Sequence, residues 1–81
     1  MSRKVYDKVM SGRCDHNIGF NDFCLLIVNL GFTFKRQKGS HIQYFHENIK
    51  MFMNVQKDGS KAKGYEVKQL REIIRKHNLY V

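Results

Sequence analysis

GFTFKRQKGSHIQYFHE (Gly31–Glu47) is the stretch that decides the fold. Before it, Phe23, Leu26, Ile27 and Leu30 stand at i, i+3, i+4 and i+7, the spacing of a buried helical face. Gly31 reads as the stop of that helix. After it the apolar period drops to two. Phe32-Thr33-Phe34-Lys35 predicts a strand, Gln37 to Ser40 a turn, and His41 to about Glu47 a second strand. A helix followed at once by a basic hairpin is therefore the frame on which the rest of the chain is placed.

Downstream, Asn48 is the next turn signal. A third strand is expected from about Lys50 to Gln56, with Met51, Met53 and Val55 alternating against Phe52, Asn54 and Gln56. Lys57-Asp58-Gly59-Ser60 reads as another turn. A last helix is expected from about Tyr65 to His77, with its apolar stripe on Val67, Leu70, Ile73 and Ile74. Upstream, Ser2 is the expected cap of a short first helix that Gly12 ends, with Val5, Tyr6, Val9 and Met10 on one face. Gly12 to Phe20 reads as a polar connector. Asn21 is the expected cap of the second helix, with Asp22 in its first turn, where a negative charge suits the helix dipole.

The order α-α-β-β-β-α predicts an α+β fold, a small two-layer sandwich whose three-stranded antiparallel sheet carries the helices on one face. Side chains alternate along a strand, so the register settles which residues face away from the helices. With Ile42, Tyr44, Met51, Met53 and Val55 inward, the outer face carries His41, Gln43, Phe45, Phe52, Asn54 and Gln56, bordered by Lys35, Arg36 and Lys38. Amides can read base edges and aromatic rings can stack on unpaired bases. The competing expectation for Phe45 and Phe52 is that they pack on each other or under a partner.

At 81 residues the chain is expected to be one domain, 1–81, with an N-terminal helix and connector over 1–20 and a core over 21–79. Fifteen Lys and Arg stand against seven Asp and Glu, a formal +8. No acid occurs between Asp22 and Glu47. Lys57, Lys61 and Lys63 form a second basic cluster, and Lys68, Arg71 and Arg75 stand at i, i+3 and i+7. Such an excess favours a polyanionic partner, nucleic acid being the simplest, against a merely solvated surface or an acidic protein. The longest apolar run, Phe23 to Val28, is too short to span a bilayer, and Met1-Ser2-Arg3-Lys4 carries no secretory pattern. A cytoplasmic protein without membrane contact is the expectation. Cys14-Asp15-His16 with Cys24 matches no usual zinc spacing, and Cys24 reads as a small core residue, so no metal and no cofactor are expected.

Three stretches in order now carry a resemblance. They are the helix ending in Leu30-Gly31-Phe32, the hairpin Arg36-Gln37-Lys38-Gly39-Ser40-His41, and Asn54-Val55-Gln56-Lys57-Asp58-Gly59. The last continues through Lys61-Ala62-Lys63-Gly64-Tyr65 into Val67, Leu70, Arg71 and Ile73. The chain resembles the HicA family of toxins, small RNA-cleaving partners of HicB antitoxins, over about Phe20 to Leu79. The resemblance implies a fold like a double-stranded RNA-binding domain, an mRNA substrate, a HicB-type antitoxin as partner, and a catalytic role for the histidine of Gly-Ser-His, His41. Two departures stand out. Many relatives carry a second histidine on the third strand, where this chain has Gln56, and many carry proline where it has Gly64.

The residues themselves fit that chemistry. RNA holds its own nucleophile, the 2′-hydroxyl, so cleavage needs proton transfer and a hold on the phosphate's developing charge. Histidine titrates near neutral pH and can act as base or acid. Arg36 and Lys38 can hold the phosphate, Gly39 can let backbone approach, and Ser40 can donate a hydrogen bond. Gln43, Asn54 and Gln56 are the remaining candidate RNA contacts. Nothing in this scheme requires a metal. The alternatives are a non-catalytic double-stranded-RNA-binding module, a catalytically dead regulator, and, for His41 alone, a ring that merely faces solvent at a strand start.

Overall fold

The computed structural model describes residues 2–81; the expected N-terminal residue of the domain, residue 1, lies outside the described residues. The elements are α1 (Ser2–Ser11), α2 (Phe20–Asn29), β1 (Thr33–Lys38), β2 (His41–His46), β3 (Met51–Asp58), β4 (Lys61–Ala62) and α3 (Gly64–His77). All neighbouring strands are antiparallel, in the order β1-β2-β3-β4. The α+β sandwich is as expected, with one short strand added.

That added strand, β4, pairs with the end of β3 and also takes up the connector. Gly19 bridges Lys61, the Phe20 amide donates to the Ser60 carbonyl, and the Ala62 amide donates to the Ile18 carbonyl. Ile18 and Phe20 are buried with the core. The connector is thus a stitched and partly apolar segment, where a polar one was expected. The stitching also moves the start of α2. Gly19 takes an extended backbone at the bridge and serves as N-cap, so Asn21 lies inside the helix rather than capping it. Ser2 likewise lies within α1, and its hydroxyl accepts from the Asn29 side-chain amide.

The core lies between the helices and the inner face of the sheet. Phe23, Leu26 and Ile27 from α2 meet Tyr44, Met53 and Val55 from the strands and Val67 and Leu70 from α3. Burial in β2 and β3 follows the expected register: Tyr44, Met53 and Val55 are buried, while His41, Phe52 and Asn54 are exposed. His46, on the inner side, donates from Nε2 to the Leu30 carbonyl at 3.2 Å and sets its ring edge-on to Phe32. That contact fixes residue 31. Gly31 has φ +107°, and a Cβ there would lie 2.7 Å from His46 Nε2. Only glycine meets both demands.

α1 is anchored by Arg71. Its guanidinium donates to both carboxylate oxygens of Asp15, at 2.8 and 3.1 Å, and to the Val9 carbonyl at 3.0 Å. Arg71 is 8% exposed, so the expected basic stripe on α3 is interrupted at its middle. Arginine sits here because its planar fork satisfies a carboxylate and a helix-end carbonyl together. The Arg71 guanidinium in turn holds the Asp15 carboxyl below its usual range against the opposing effect of burial. Gly64, the departure from proline, packs against His16, whose Nδ1 would lie 2.7 Å from a Cβ at that position. The small residue therefore admits the connector to the start of α3.

Candidate active site

β1 is the sheet edge, and all six of its residues are exposed. Strict alternation from Phe32 would set Phe34, Arg36 and Lys38 on one side. The ladder does otherwise. Phe34 pairs with Tyr44 and Arg36 pairs with Gln43, so Lys35 is an extra residue, a β-bulge. Beyond it Lys38 pairs with His41. Phe34 stays on the inner side with its ring against Tyr44, while Arg36 and Lys38 turn to the outer face with His41. Lys35 lies over the Phe45 ring at 5.6 Å, on that same face.

The result is one open cavity of about 530 Å³ lined by Arg36, Lys38, Gly39, His41, Gln43, Asn54 and the flank of Ile42. Six of the eight expected site residues thus surround one space. Across β2 and β3, Gln43 pairs with Asn54, which sets two amides side by side. Phe45 and Phe52 pack on each other at 4.6 Å, as one of the expectations had it, and Phe52 stays about half exposed. The turn Gly39-Ser40 is tight: Gly39 has φ +61°, and the Gln37 side-chain amide donates to its carbonyl at 3.0 Å. Space beside Gly39 is empty to 4 Å, so a ligand can come close to the backbone there.

Ser40 and Gln56 do not line the cavity. Gln56, the cross-strand partner of His41, donates from Nε2 to Ser40 Oγ at 3.0 Å and accepts at Oε1 from Lys63 Nζ at 2.9 Å. Its backbone amide donates to Glu66 Oε1 at 3.2 Å. Glu66 is only 3% exposed, and burial pushes its carboxyl above the usual range, opposed by the Gln56 amide and by the charge of Lys63. Sequence reasoning missed both Lys63 and Glu66. Lys63 was one of three lysines in a basic cluster. The ladder separates them, since Lys61 bonds Asn17 instead. Glu66 had the pattern of an ordinary first-turn acid, and no sequence signal marks its burial.

The remaining candidates fall elsewhere. Among the described residues no group of three or more His, Cys, Asp or Glu is placed to hold a metal ion. Asp15 is committed to Arg71, and Cys24 is a half-buried thiol, which burial beside the core pushes up. Among the described residues no helix is long and apolar enough to cross a membrane.

The site as built is a histidine at the mouth of a tight turn, two cations on its own face, and a pair of amides beyond it. Chemically it can hold an anion, give or take a proton at an imidazole nitrogen, and offer donors and acceptors to flat polar groups. A family model described as "HicA toxin of bacterial toxin-antitoxin" matches residues 20–79. Searches among curated proteins and among solved structures returned no match. The family match covers most of the chain, and the chain belongs to the HicA toxin family.

Proposed function

We propose that this HicA-family chain is a metal-independent ribonuclease that cleaves mRNA through His41 and is silenced by a cognate HicB-type antitoxin. The observation that carries the reading is the bulge at Lys35, which brings Arg36 and Lys38 to the face and cavity of His41. His41 removes the proton of a 2′-hydroxyl. That oxygen attacks the adjacent phosphorus, and the bond to the leaving 5′-oxygen breaks as that oxygen takes up a proton. Arg36 and Lys38 stabilise the charge that grows on the phosphate oxygens. The products end in a 2′,3′-cyclic phosphate and a free 5′-hydroxyl. Gln43 and Asn54 contact the RNA from the same cavity, and Gly39 gives the phosphate room.

The test is cleavage of end-labelled RNA by purified protein with EDTA present. Cyclic phosphate ends and loss of cutting in His41→Ala are expected. Ends carrying 5′-phosphate, or full cutting by His41→Ala, would overturn the reading. A binding-only module would grip duplex RNA through its helices and a basic loop. The commitment of Arg71 to Asp15 weighs against that alternative, because it removes the central cation from the α3 stripe.

A HicB-type partner of acidic character suits the same face. Long-range attraction between a +8 chain and an acidic protein speeds encounter and is screened by salt. Surface-binding kinetics of the pair should show association slowing with salt while dissociation changes little. Changing Lys35, Arg36 and Lys38 together to Glu should slow association more than any single apolar change.

A further inference from the structure

The catalytic hairpin is weakly tied to the rest of the molecule. β1 is an edge strand with no buried residue, and the space beside Gly39 is open. Among the described residues, the one side-chain hydrogen bond that the turn makes beyond its own two strands runs from Gln56 to Ser40 Oγ. Ser40 is the immediate neighbour of His41, and Gln56 is the residue across from His41 in the ladder. That bond therefore bears directly on where the imidazole sits.

Gln56 is itself oriented by Lys63. An ammonium group has only donors, so the Gln56 carbonyl oxygen must face Lys63 and the NH₂ group must face Ser40. Ser40 then accepts with its oxygen. Glu66 accepts from the Gln56 backbone amide, and Lys63 stands at the N-cap of α3, so both anchors belong to the start of that helix. We propose that Lys63 and Gln56 are positioning residues, a hydrogen-bond chain Lys63–Gln56–Ser40 that locks the His41 turn to the start of α3. This assigns Gln56 a role different from direct RNA contact and assigns Lys63 a role that its charge alone does not give. The inference rests on His41 acting in RNA cleavage, as proposed above.

The test combines steady-state cleavage with amide hydrogen exchange on the full chain. Lys63→Met and Gln56→Leu should each lower kcat about tenfold through misplacement of His41, with a smaller change in KM. Both should speed exchange at Gly39 to Ile42 while the global melting temperature holds. Lys57→Met removes the same charge from an exposed position on β3 and should leave kcat and hairpin exchange unchanged. Lys63→Arg keeps a donor and should restore kcat. Equal behaviour of Lys63→Met and Lys57→Met would overturn the chain, since charge alone would then explain both. Unchanged exchange at the turn in Lys63→Met would overturn it too. If the wild-type protein cuts no RNA, the ribonuclease reading fails by itself, and the exchange measurement still decides the chain.

Discussion

His41 and His46 sit five positions apart on one strand and share almost nothing else. His41 is exposed on the outer face among cations and amides. His46 is 6% exposed on the inner face, wedged between Gly31 and Phe32. The outer face is open and charged, and its residues are held by the ladder and one side-chain chain. The inner face is packed against the helices, with Tyr44, Met53 and Val55 buried in the core. Substitution on the outer face should therefore reach activity before stability, and substitution on the inner face the reverse.

The largest effect expected from that contrast is on cleavage. His41→Ala should lower kcat by about 10²–10⁴-fold, the usual range for a general acid or base, with the melting temperature nearly unmoved. Gel assays of cleavage beside thermal melts would show it, and a large drop in melting temperature would blur the division between faces. Next comes the inner face. Met53 is fully buried, and Met53→Ala should cost about 2–5 kcal/mol of stability in denaturant titrations. A cost below about 1 kcal/mol there would mean that the inner face packs no better than the outer.

A third expectation concerns the anchor of α1. Asp15→Asn leaves Arg71 without its carboxylate and should cost about 2 kcal/mol at pH 7. The Asp15 carboxyl is held below its ordinary value of 3.8, so its contribution is present above that pH and is lost as pH falls through the lowered value. The deficit of Asp15→Asn should therefore shrink on acidification. Glu66 has the opposite sign. Burial raises its carboxyl above 4.5, so its charged form becomes a cost as pH rises through the raised value. Denaturant titrations between about pH 2 and 7 would separate the two, and a deficit that grew on acidification would refute the assignment to Asp15. The smallest effect is expected from deleting Lys35. That restores a regular ladder in which Arg36 still meets Gln43 and Lys38 still meets His41. Cleavage should stay within about threefold, and a collapse of activity would show that the bulge itself, rather than the facing of its neighbours, is needed.

Much of this was legible in the residues. Gly12, Gly31 and the helical stripes marked the ends and faces of the helices, and alternation over Ile42–Tyr44 and Met51–Val55 placed the inner side of the sheet. The pair Gly39-Ser40 marked the turn that His41 follows. Illegible were β4 and the stitched connector, because a two-residue strand has no period of its own and its partners, the end of β3 on one side and Ile18 and Gly19 on the other, are brought to it by the fold. Also illegible was the fate of Arg71, since a basic residue at stripe spacing looks the same whether solvated or paired with Asp15.

Periodicity, glycine and charge are local properties, so the residues alone set the order of the helices and the three long strands, the hairpin and the histidine at its tip. Tertiary structure alone decided which side of the sheet Arg36 and Lys38 occupy, and that Lys63 and Glu66 converge on Gln56. A bulge appears only when one strand is laid against another. Partners 7 and 10 positions from Gln56 meet it only once β3, β4 and α3 have folded back on one another.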